Sequence, residues 1–532
     1  MNGSFKELRN TKVKTIHRIL IVLLSFSIIL ASLSANLTNT YGSVVDISNS
    51  IILLNPRVVD PNPNLIDIDG DLKNNVSLAA NLTTERIGTI ADAVSKLILL
   101  LDSNSTLSFS IGGTNHNNLT NGTLSSLNHS SNANNSSSTI IHPQRTSEGR
   151  SVVVAVYTPP DFIDLDKGTN HTTINILVND TQATSIDLYR VPIVLVHGLW
   201  GDPNQTWIES NFNKTLRQSG FDTFYADYSE YNAITFDPYK NETIGNKPFG
   251  NYGIDSVRNE TAKALKKYHN NSIAAAQVDI VGHSMGGLMA RGFVQQADYM
   301  KQDNFMKGYI HRLITIGTPH FGGDLAGILY DHRDDWYCSK HKLSKLIALV
   351  PAQNCTEQPE QLKNFYNKIG FPLDQGGIES LIPGSDAYSH LCQTNVKSYA
   401  IAGSWKPNSN LNYALHELFY KYITGYPGFR LDEDAFNNEQ NDLVVRLSSQ
   451  LGGLLKNQTR EQGENYTPPP KGAIYPNTIH STRSLLAPDP NIFSEINSTH
   501  IQKDVVILLG SSDESKFADA IGIGSPCHVP NR

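Results

Sequence analysis

The amino-acid sequence predicts an α/β protein with a mostly parallel central sheet and helices on both faces of that sheet. Two observations lead to this fold class. Short apolar runs without polar alternation, such as Pro192–Val196 and Val278–Val281, recur between helix-like segments, as expected of strands that are buried on both faces. One of these runs leads through Gly282–Gly286, a Gly-x-Ser-x-Gly pentapeptide, directly into a helix-like segment. We therefore expect one large α/β domain over residues 191–510.

The N-terminal segment, residues 1–35, is typical of an export signal. Basic residues between Lys6 and Arg18 precede the apolar run Ile19–Leu33, which ends in small residues. Its length of about fifteen residues favours a signal peptide over a spanning helix, and an uncleaved membrane anchor is the alternative. Either interpretation predicts a protein outside the cytoplasm, secreted or anchored to the outer face of the cell membrane. About twenty Asn-x-Ser/Thr sequons after the leader agree with a glycosylated surface.

Residues 36–144 are predicted to be a low-complexity, sequon-rich region that is largely disordered. Its stretch Asn104–Thr139 is dominated by Asn, Ser, Thr and Gly, which bury too little apolar surface to fold. The segment Ile87–Leu101 has the length of one helix. Alternating polar and apolar residues at 145–190 predict strands, which either begin the central sheet or form a small β module in front of it.

The remaining elements follow from the spacing of the apolar residues. Three strands and three helices are predicted, at Thr223–Ala226, Leu313–Ile316, Ser398–Ile401, Asn211–Gln218, Ser256–Tyr268 and Lys503–Leu509. Residues 324–395 form a long insertion with several Pro and Gly, and insertions of this kind often act as lids. Residues 511–532 are predicted to be a C-terminal tail.

Composition excludes several classes of function. The net charge of −7 is spread thinly, and no Lys/Arg cluster beyond the N-terminus could follow a phosphate backbone, so nucleic acid is not an expected partner. The four cysteines show no metal-ligand spacing, and in an exported protein an even number predicts disulfides. Three pairings are open, and free buried thiols are the alternative. Without a phosphate loop, a dinucleotide fingerprint or a His-x-x-x-His pair, neither a cofactor nor a metal is expected.

Ser284, the centre of the pentapeptide, is the candidate nucleophile. A strand that turns sharply into a helix needs glycines two residues before and two residues after the serine, because side chains there would collide with neighbouring backbone. Gly282 and Gly286 meet this need. A serine also needs a histidine to remove its proton and a carboxylate to orient that histidine.

The acid and the histidine are expected downstream of the serine, in that order. Asp442 is the preferred acid because it lies in a loop after the predicted strand Ser398–Ile401; its alternative role is to cap a helix, and Asp432 and Asp434 are the runners-up. His500 is the preferred base because it lies in the last loop before the terminal helix. His480 is its rival.

Negative charge that develops on a carbonyl oxygen needs nearby backbone N–H donors. Met285 follows the nucleophile at the start of a helix, whose dipole also favours an anion. The loop Val196–Gly201, after the first central strand, supplies a second donor at Leu199. Leu199 and Met285 are therefore the predicted oxyanion hole.

Five blocks of sequence extend this pattern, in the order PIVLVHGLWGD, VDIVGHSMGGLMAR, LITIGTPHFGG, SLIPGSDAYSHL and NDLVVRLSSQ. From about Val191 to Leu509 the chain resembles α/β-hydrolases of the lipase and esterase type, including the group similar to glycosylphosphatidylinositol inositol-deacylases. The resemblance implies an α/β-hydrolase fold with its catalytic domain at 191–510. It also implies Ser284, Asp442 and His500 as the triad, with Leu199 and Met285 as the oxyanion hole. Arg446 departs from the pattern, because relatives usually carry Pro there, and the final histidine block is poorly marked.

These observations lead to the hypothesis of an exported carboxylic-ester hydrolase that works through an acyl-enzyme. Its substrates would be lipids or other acyl esters, and a lipid substrate is compatible with association with a membrane surface. Two alternatives remain at this point. The same triad serves an acyltransferase, a thioesterase or an amidase, and a hydrolase scaffold without activity serves as a surface-binding protein.

Overall fold

The computed structural model describes residues 51–56, 85–112, 121–126, 136–145, 149, 151–231, 235–240, 242–244, 247–249, 251–331, 376–405, 417, 430–454, 470–481 and 493–522. The strands, β1 to β21 in chain order, are Ile52–Leu54, Gly88–Ile90, Leu97–Asp102, Leu107–Gly112, Thr123–Ser126, Ser138–Ile141, Gln144–Arg145, Ser151–Thr158, His171–Val178, Thr181–Tyr189, Ile193–Val196, Thr223–Ala226, Glu242–Ile244, Lys247–Phe249, Ile273–Ala274, Val278–His283, Ile310–Ile316, Lys397–Ser404, Gly472–Pro476, Thr478–Ile479 and Phe493–Ser494. The helices, α1 to α8, are Phe212–Gln218, Tyr252–Asn270, Met285–Val294, Asp324–Asp331, Gly377–Ser380, Asp386–His390, Leu447–Gln450 and Thr499–Leu509.

The central sheet has six strands in the order β12, β11, β16, β17, β18, β19, and every neighbouring pair in it is parallel. Its strands are almost continuously buried: every residue of β11, β16 and β17 is buried. Side chains on both faces of these strands are covered, which is why the sequence shows apolar runs instead of alternation. This six-stranded sheet agrees with the predicted parallel sheet, and the other sheets of the described residues are antiparallel, mixed or two-stranded.

Helices cover both faces of this sheet. Alternate residues of β11 point to opposite faces: Val194 and Val196 join a core with Val257 of α2 and Leu288 of α3. Their neighbours Ile193 and Leu195 join a second core with residues of α1 and α8. The predicted helices at 211–218, 256–268 and 503–509 therefore exist, with α2 and α8 starting four residues earlier than predicted.

Two further sheets make up a β-sandwich in front of the central domain. One is antiparallel, with β1, β3, β8 and β5 in order and β7 beside β8; the other has the order β15, β2, β10, β9, β4, β6. Leu99 and Val153 from the first sheet pack with Phe109 and Ile176 from the second. Strand β15 comes from the central domain and pairs in parallel with β2, so the two parts share one sheet. Of the residues at 145–190, strands β8, β9 and β10 lie in these two sheets and not in the six-stranded central sheet.

The prediction of disorder in 36–144 is wrong for the residues that the structure describes there. In β4 the alternation is short but complete: Leu107 and Phe109 are buried, whereas Ser108 faces outward. One apolar face of this kind is enough once a second sheet covers it. The predicted helix at Ile87–Leu101 is also wrong. It is two strands, β2 and β3, separated by a turn in which Asp92 Oδ1 accepts hydrogen bonds from two backbone N–H groups.

Several predicted segments lie outside the described residues. These are the leader at 1–35, residues 332–375 of the insertion and three cysteines, Cys338, Cys355 and Cys527, so export, the lid and the disulfides remain predictions. Among the residues that are described, no helix has the length and apolar character needed to cross a membrane. The predicted tail is described over residues 511–522, where Ala518 exchanges two backbone hydrogen bonds with Ser398 of β18.

A buried charged cluster joins the sandwich to the central sheet. Asp161, in the loop between β8 and β9, binds His311 Nε2 at 2.8 Å and Arg312 Nη2 at 2.6 Å. His311 Nδ1 contacts Asp279 Oδ1 at 2.8 Å. These partners stand near the amino ends of β16 and β17, so the sandwich docks at the edge of the sheet opposite to its carboxyl ends.

This cluster predicts a loss of stability at alkaline pH. Burial alone lowers the pKa of His311, but the carboxylates of Asp279 and Asp161 outweigh it and raise the pKa to about 9. Because the charged form is favoured in the folded state, its contribution is complete below the unfolded pKa of about 6.5 and is lost as the pH rises to about 9. A shift of this size corresponds to about 3 kcal/mol at most.

The measurement is the urea midpoint of the full chain between pH 6 and pH 10. We expect the midpoint of the parent to fall between about pH 6.5 and pH 9, and this fall to be smaller in His311→Gln, which lacks the titrating imidazole of the cluster. His171→Gln, at an exposed histidine of β9, is the matched control and should follow the parent. Identical slopes for all three proteins would contradict the prediction.

Candidate active site

Ser284 lies in a sharp turn between β16 and α3. Its backbone has φ 54° and ψ −131°, a strained conformation for a residue with a side chain. The neighbouring glycines make room for this turn: a Cβ on Gly282 would lie 2.7 Å from the backbone N of Gly287, and one on Gly286 would collide with the carbonyl oxygen of Val196. The glycine requirement that the sequence indicated is therefore steric, and the turn presents Ser284 at the carboxyl edge of the sheet.

A continuous chain of hydrogen bonds connects Ser284, His480 and Asp442. Ser284 Oγ is 2.8 Å from His480 Nε2, and His480 Nδ1 is 2.8 Å from Asp442 Oδ2. Asp442 is fully buried and His480 is 6% exposed. The other carboxylate oxygen, Oδ1, accepts hydrogen bonds from the backbone N–H groups of Val444 and Val445 at 2.8 and 2.6 Å. The loop thus fixes the carboxylate, and the carboxylate fixes the imidazole.

The preference for His500 over His480 is wrong. His500 is exposed in the first turn of α8, whereas His480 occupies the hydrogen-bonding positions of both Ser284 and Asp442. The reason is β19, which the sequence analysis missed because it is a short Gly472–Pro476 segment that ends in proline. This strand carries the chain to the carboxyl edge of the sheet, so the histidine loop follows β19 directly. The preference for Asp442 agrees with these contacts, and Asp432 and Asp434 lie instead in a single turn, Leu431–Ala435.

The loop after β11 lies against the nucleophile. A Cβ on Gly198 would be 2.5 Å from Ser284 Cβ and 3.1 Å from Ser284 Oγ, so only glycine permits this approach. Leu199 follows it and is partly buried. Met285 is the first residue of α3, and a first-turn N–H group has no acceptor inside its own helix. Of the two predicted oxyanion residues, Leu199 therefore follows Gly198, which lies against Ser284, and Met285 follows Ser284 itself.

Two residues in the site were not predicted from the sequence to have a functional role. They are His283 and Glu495. Glu495 Oε2 lies 3.4 Å from His283 Nε2 and 3.4 Å from His480 Nδ1. Glu495 is fully buried, and its Oε1 accepts a hydrogen bond from the backbone N–H of Gly403 at 3.0 Å. The only sequence signal is one acidic residue inside the segment Phe493–Ile496, too weak to choose it among the many acids of the chain.

The buried carboxyls change the basicity of His480. Burial alone lowers its pKa, but the charges and hydrogen bonds of Asp442 and Glu495 outweigh burial and raise the pKa to about 10. Burial raises the pKa of Asp442, and the negative charge of Glu495 adds to that rise. Burial acts on Glu495 in the same direction, but the neighbouring His283, 3.4 Å away, and the charge of His480 outweigh it and lower the pKa. The site is thus built to stabilise an imidazolium.

Within the described part of the chain, one group of side chains has the spacing of metal ligands. It comprises His283, His480 and Glu495, whose ligand atoms lie within 4.8 Å of one another. His480 already binds Ser284 and Asp442 through its two nitrogens, so a metal here would compete with the hydrogen-bonded chain. The expectation that the protein needs no metal stays a prediction.

The geometry predicts that His480, and not His500, activates Ser284. A fluorophosphonate probe reacts with a serine whose hydroxyl is made nucleophilic by a neighbouring base. We expect labelling of Ser284 in the parent, a loss of at least about 10³-fold in labelling rate in His480→Ala, and a rate close to that of the parent in His500→Ala, the matched control. Mass spectrometry of the labelled peptide identifies the site. The reverse order of the two variants would refute this assignment.

Solved structures with a related arrangement are remote in sequence. They include the mature lipase BlEst2 of Bacillus licheniformis, at 14% identity over 60% of this chain and 89% of that protein, with a TM-score of 0.27. Phospholipase PlaB from Legionella pneumophila is 16% identical over 61% of both chains, with a TM-score of 0.32. Lipase 1 from Pelosinus fermentans is 15% identical over 61% of this chain and 95% of that one, with a TM-score of 0.26.

A family model covers more than half of the chain. Residues 179–466 match a family described as a domain of unknown function, DUF7379. The match starts in the sandwich, at the turn between β9 and β10, and runs through Ser284 and Asp442; it stops before His480 and Glu495. Because this match covers more than half of the 532 residues, the protein belongs to the DUF7379 family.

Proposed function

We propose that this protein is a serine hydrolase that cleaves carboxylic esters through an acyl-enzyme, with Ser284 as nucleophile, His480 as general base and Asp442 as the acid that orients it. One observation carries the proposal: the imidazole of His480 lies within 2.8 Å of both the Ser284 hydroxyl and the Asp442 carboxylate. A nucleophile, a base and an orienting acid in this order are the parts that acyl transfer needs.

The reaction proceeds in two steps. Ser284 Oγ attacks the ester carbonyl while its proton moves to His480 Nε2, and the tetrahedral intermediate collapses as the leaving alcohol takes that proton from the imidazolium. Water then attacks the acyl-enzyme as its proton moves to His480, and the imidazolium returns that proton to Ser284 Oγ as the carboxylic acid leaves. Asp442 holds the imidazole in the orientation that presents Nε2 to the serine, and its negative charge stabilises the imidazolium that forms in each step.

Two backbone N–H donors stabilise the negative charge that develops on the carbonyl oxygen. We assign these to the N–H groups of Leu199 and Met285, which flank Gly198 and Ser284 in their respective loops. A donor of this kind contributes about 3 to 4 kcal/mol to the stability of the transition state. The dipole of α3, whose amino end lies at Met285, favours the same negative charge.

The substrate class is part of the proposal. The five sequence blocks support acyl esters, including lipids, and a closer relationship with the inositol-deacylase-like group rests on them alone. Export by the N-terminal segment, action outside the cytoplasm and association with a membrane surface rest on sequence alone as well. An acyltransferase would show itself by forming a new ester in excess of free acid when a competing alcohol is present.

Removal of the nucleophile tests the proposal directly. Ser284→Ala leaves no group to form the acyl-enzyme, so we expect kcat/KM on short and long p-nitrophenyl esters to fall at least about 10⁴-fold. Ser389→Ala, at an exposed serine of α6, is the matched control and should retain the activity of the parent. Undiminished hydrolysis by Ser284→Ala would remove Ser284 from the mechanism.

Gly198 provides a second test, of the oxyanion loop. In Gly198→Ala the added methyl group meets Ser284 Cβ at 2.5 Å, so the loop must move away from the nucleophile and carry the Leu199 N–H with it. We expect kcat to fall about 10²- to 10³-fold, with a smaller change in KM. The control is Gly327→Ala in α4, where, among the residues that the structure describes, a methyl group meets the Ile382 side chain alone, at 3.7 Å. A Gly198→Ala enzyme with the kcat of the parent would contradict this role of the loop.

A further inference from the structure

Two buried polar atoms in the site are not used by the serine, histidine and aspartate chemistry. They are His283 Nε2 and Glu495 Oε2; within the residues that the structure describes, neither has a partner at hydrogen-bonding geometry. They lie 3.4 Å from each other. Burying a carboxylate fully costs free energy unless the carboxylate is paired. We therefore expect a neighbouring group that becomes positively charged.

The backbone holds the Glu495 carboxylate in one position. The residue follows β21, which pairs in parallel with β20, the strand that leads into His480. Its oxygens lie over Gly317 and Gly403, at the carboxyl ends of β17 and β18, and a Cβ on Gly403 would come within 2.8 Å of Oε1. Glycines at both strand ends therefore leave the space that the carboxylate fills, as expected of a built site.

The partner that becomes charged is His480. Its Nδ1 lies 2.8 Å from Asp442 Oδ2 and 3.4 Å from Glu495 Oε2, so two carboxylates face the same nitrogen. Among the described residues, the other groups that face His480 are Ser284, on Nε2, and the His283 ring, whose centroid is 4.8 Å from that of His480. When His480 takes the serine proton, the positive charge of the imidazolium is spread over both ring nitrogens. One of these, Nδ1, faces two negative carboxylates.

We propose that Glu495 is a second acid for His480: a positioning residue, held by the Gly403 N–H group and lying beside His283, that stabilises the imidazolium together with Asp442. The inference rests on the proposed function and deepens it. Glu495 does not touch the substrate and acts only through the charge and position of His480. The same charge makes His480 harder to deprotonate, so it moves the pH at which the free base forms toward the alkaline side.

The first test is the pH profile of the full-length enzyme on p-nitrophenyl butyrate. In Glu495→Gln one negative charge next to His480 is lost, so we expect the acidic limb of kcat/KM to move to lower pH by about one unit or more. Glu495→Asp keeps the charge and should keep the limb near its original position. Asp504→Asn, which removes another buried carboxyl, one that binds Tyr475, is the matched control and should not move the limb.

The second test removes Asp442. In an ordinary triad the loss of the acid alone costs about 10⁴-fold in kcat. With Glu495 still facing Nδ1, we expect Asp442→Asn to lose only about 10- to 100-fold, and the double variant Asp442→Asn with Glu495→Gln to lose the rest. The activity of Asp442→Asn alone decides the question if Glu495→Gln does not fold.

The outcomes separate the two proposals. If the acidic limb is the same in Glu495→Gln and in the parent, or if Asp442→Asn alone loses the full 10⁴-fold, Glu495 has only a structural role and the inference is overturned. If the fluorophosphonate probe does not label Ser284 in the folded parent, it is the proposed function that fails. Labelling of Ser284 together with a shifted limb supports both.

Discussion

The hydrogen bonds that His480 makes to Ser284 and Asp442 are the constraint on which the site depends. They join three segments that are far apart in the chain, the turn after β16, the loop after β18 and the loop after β19. These segments meet because parallel strands deliver all their carboxyl ends to one edge of the sheet. The two apolar cores on either face of the sheet hold the strands in register, so packing remote from the site determines whether the three groups touch.

The site is also a balance of buried charge. Asp442 and Glu495 are both fully buried, and each carboxylate raises the cost of ionising the other. His480 relieves that cost when it is protonated, and backbone N–H groups at Val444, Val445 and Gly403 relieve it further. In the proposed reaction, a general base that must become positive gains from such surroundings, at the expense of activity in acid.

The sandwich and the site occupy opposite edges of the same sheet. Asp161 binds His311 and Arg312 near the amino ends of the strands, and β15 extends a sheet of the sandwich with residues of the central domain. The sandwich is thus anchored at the amino ends by charge and by backbone pairing, whereas the loops that carry Ser284, Asp442 and His480 lie at the carboxyl edge.

The sequence by itself determined what depends on neighbours in the chain. The parallel sheet follows from apolar runs such as Val278–Val281, and the turn at Ser284 follows from the steric demand met by Gly282 and Gly286. Tertiary structure decided what depends on contacts between distant residues. It brought His480 to Ser284 because the short β19 joins the sheet edge, it buried Glu495 against Gly317 and Gly403, and it ordered the polar strand β4 because a second sheet covers Leu107 and Phe109. Local steric constraints depend on adjacent residues, whereas strand pairing and side-chain burial exist only once the chain has folded.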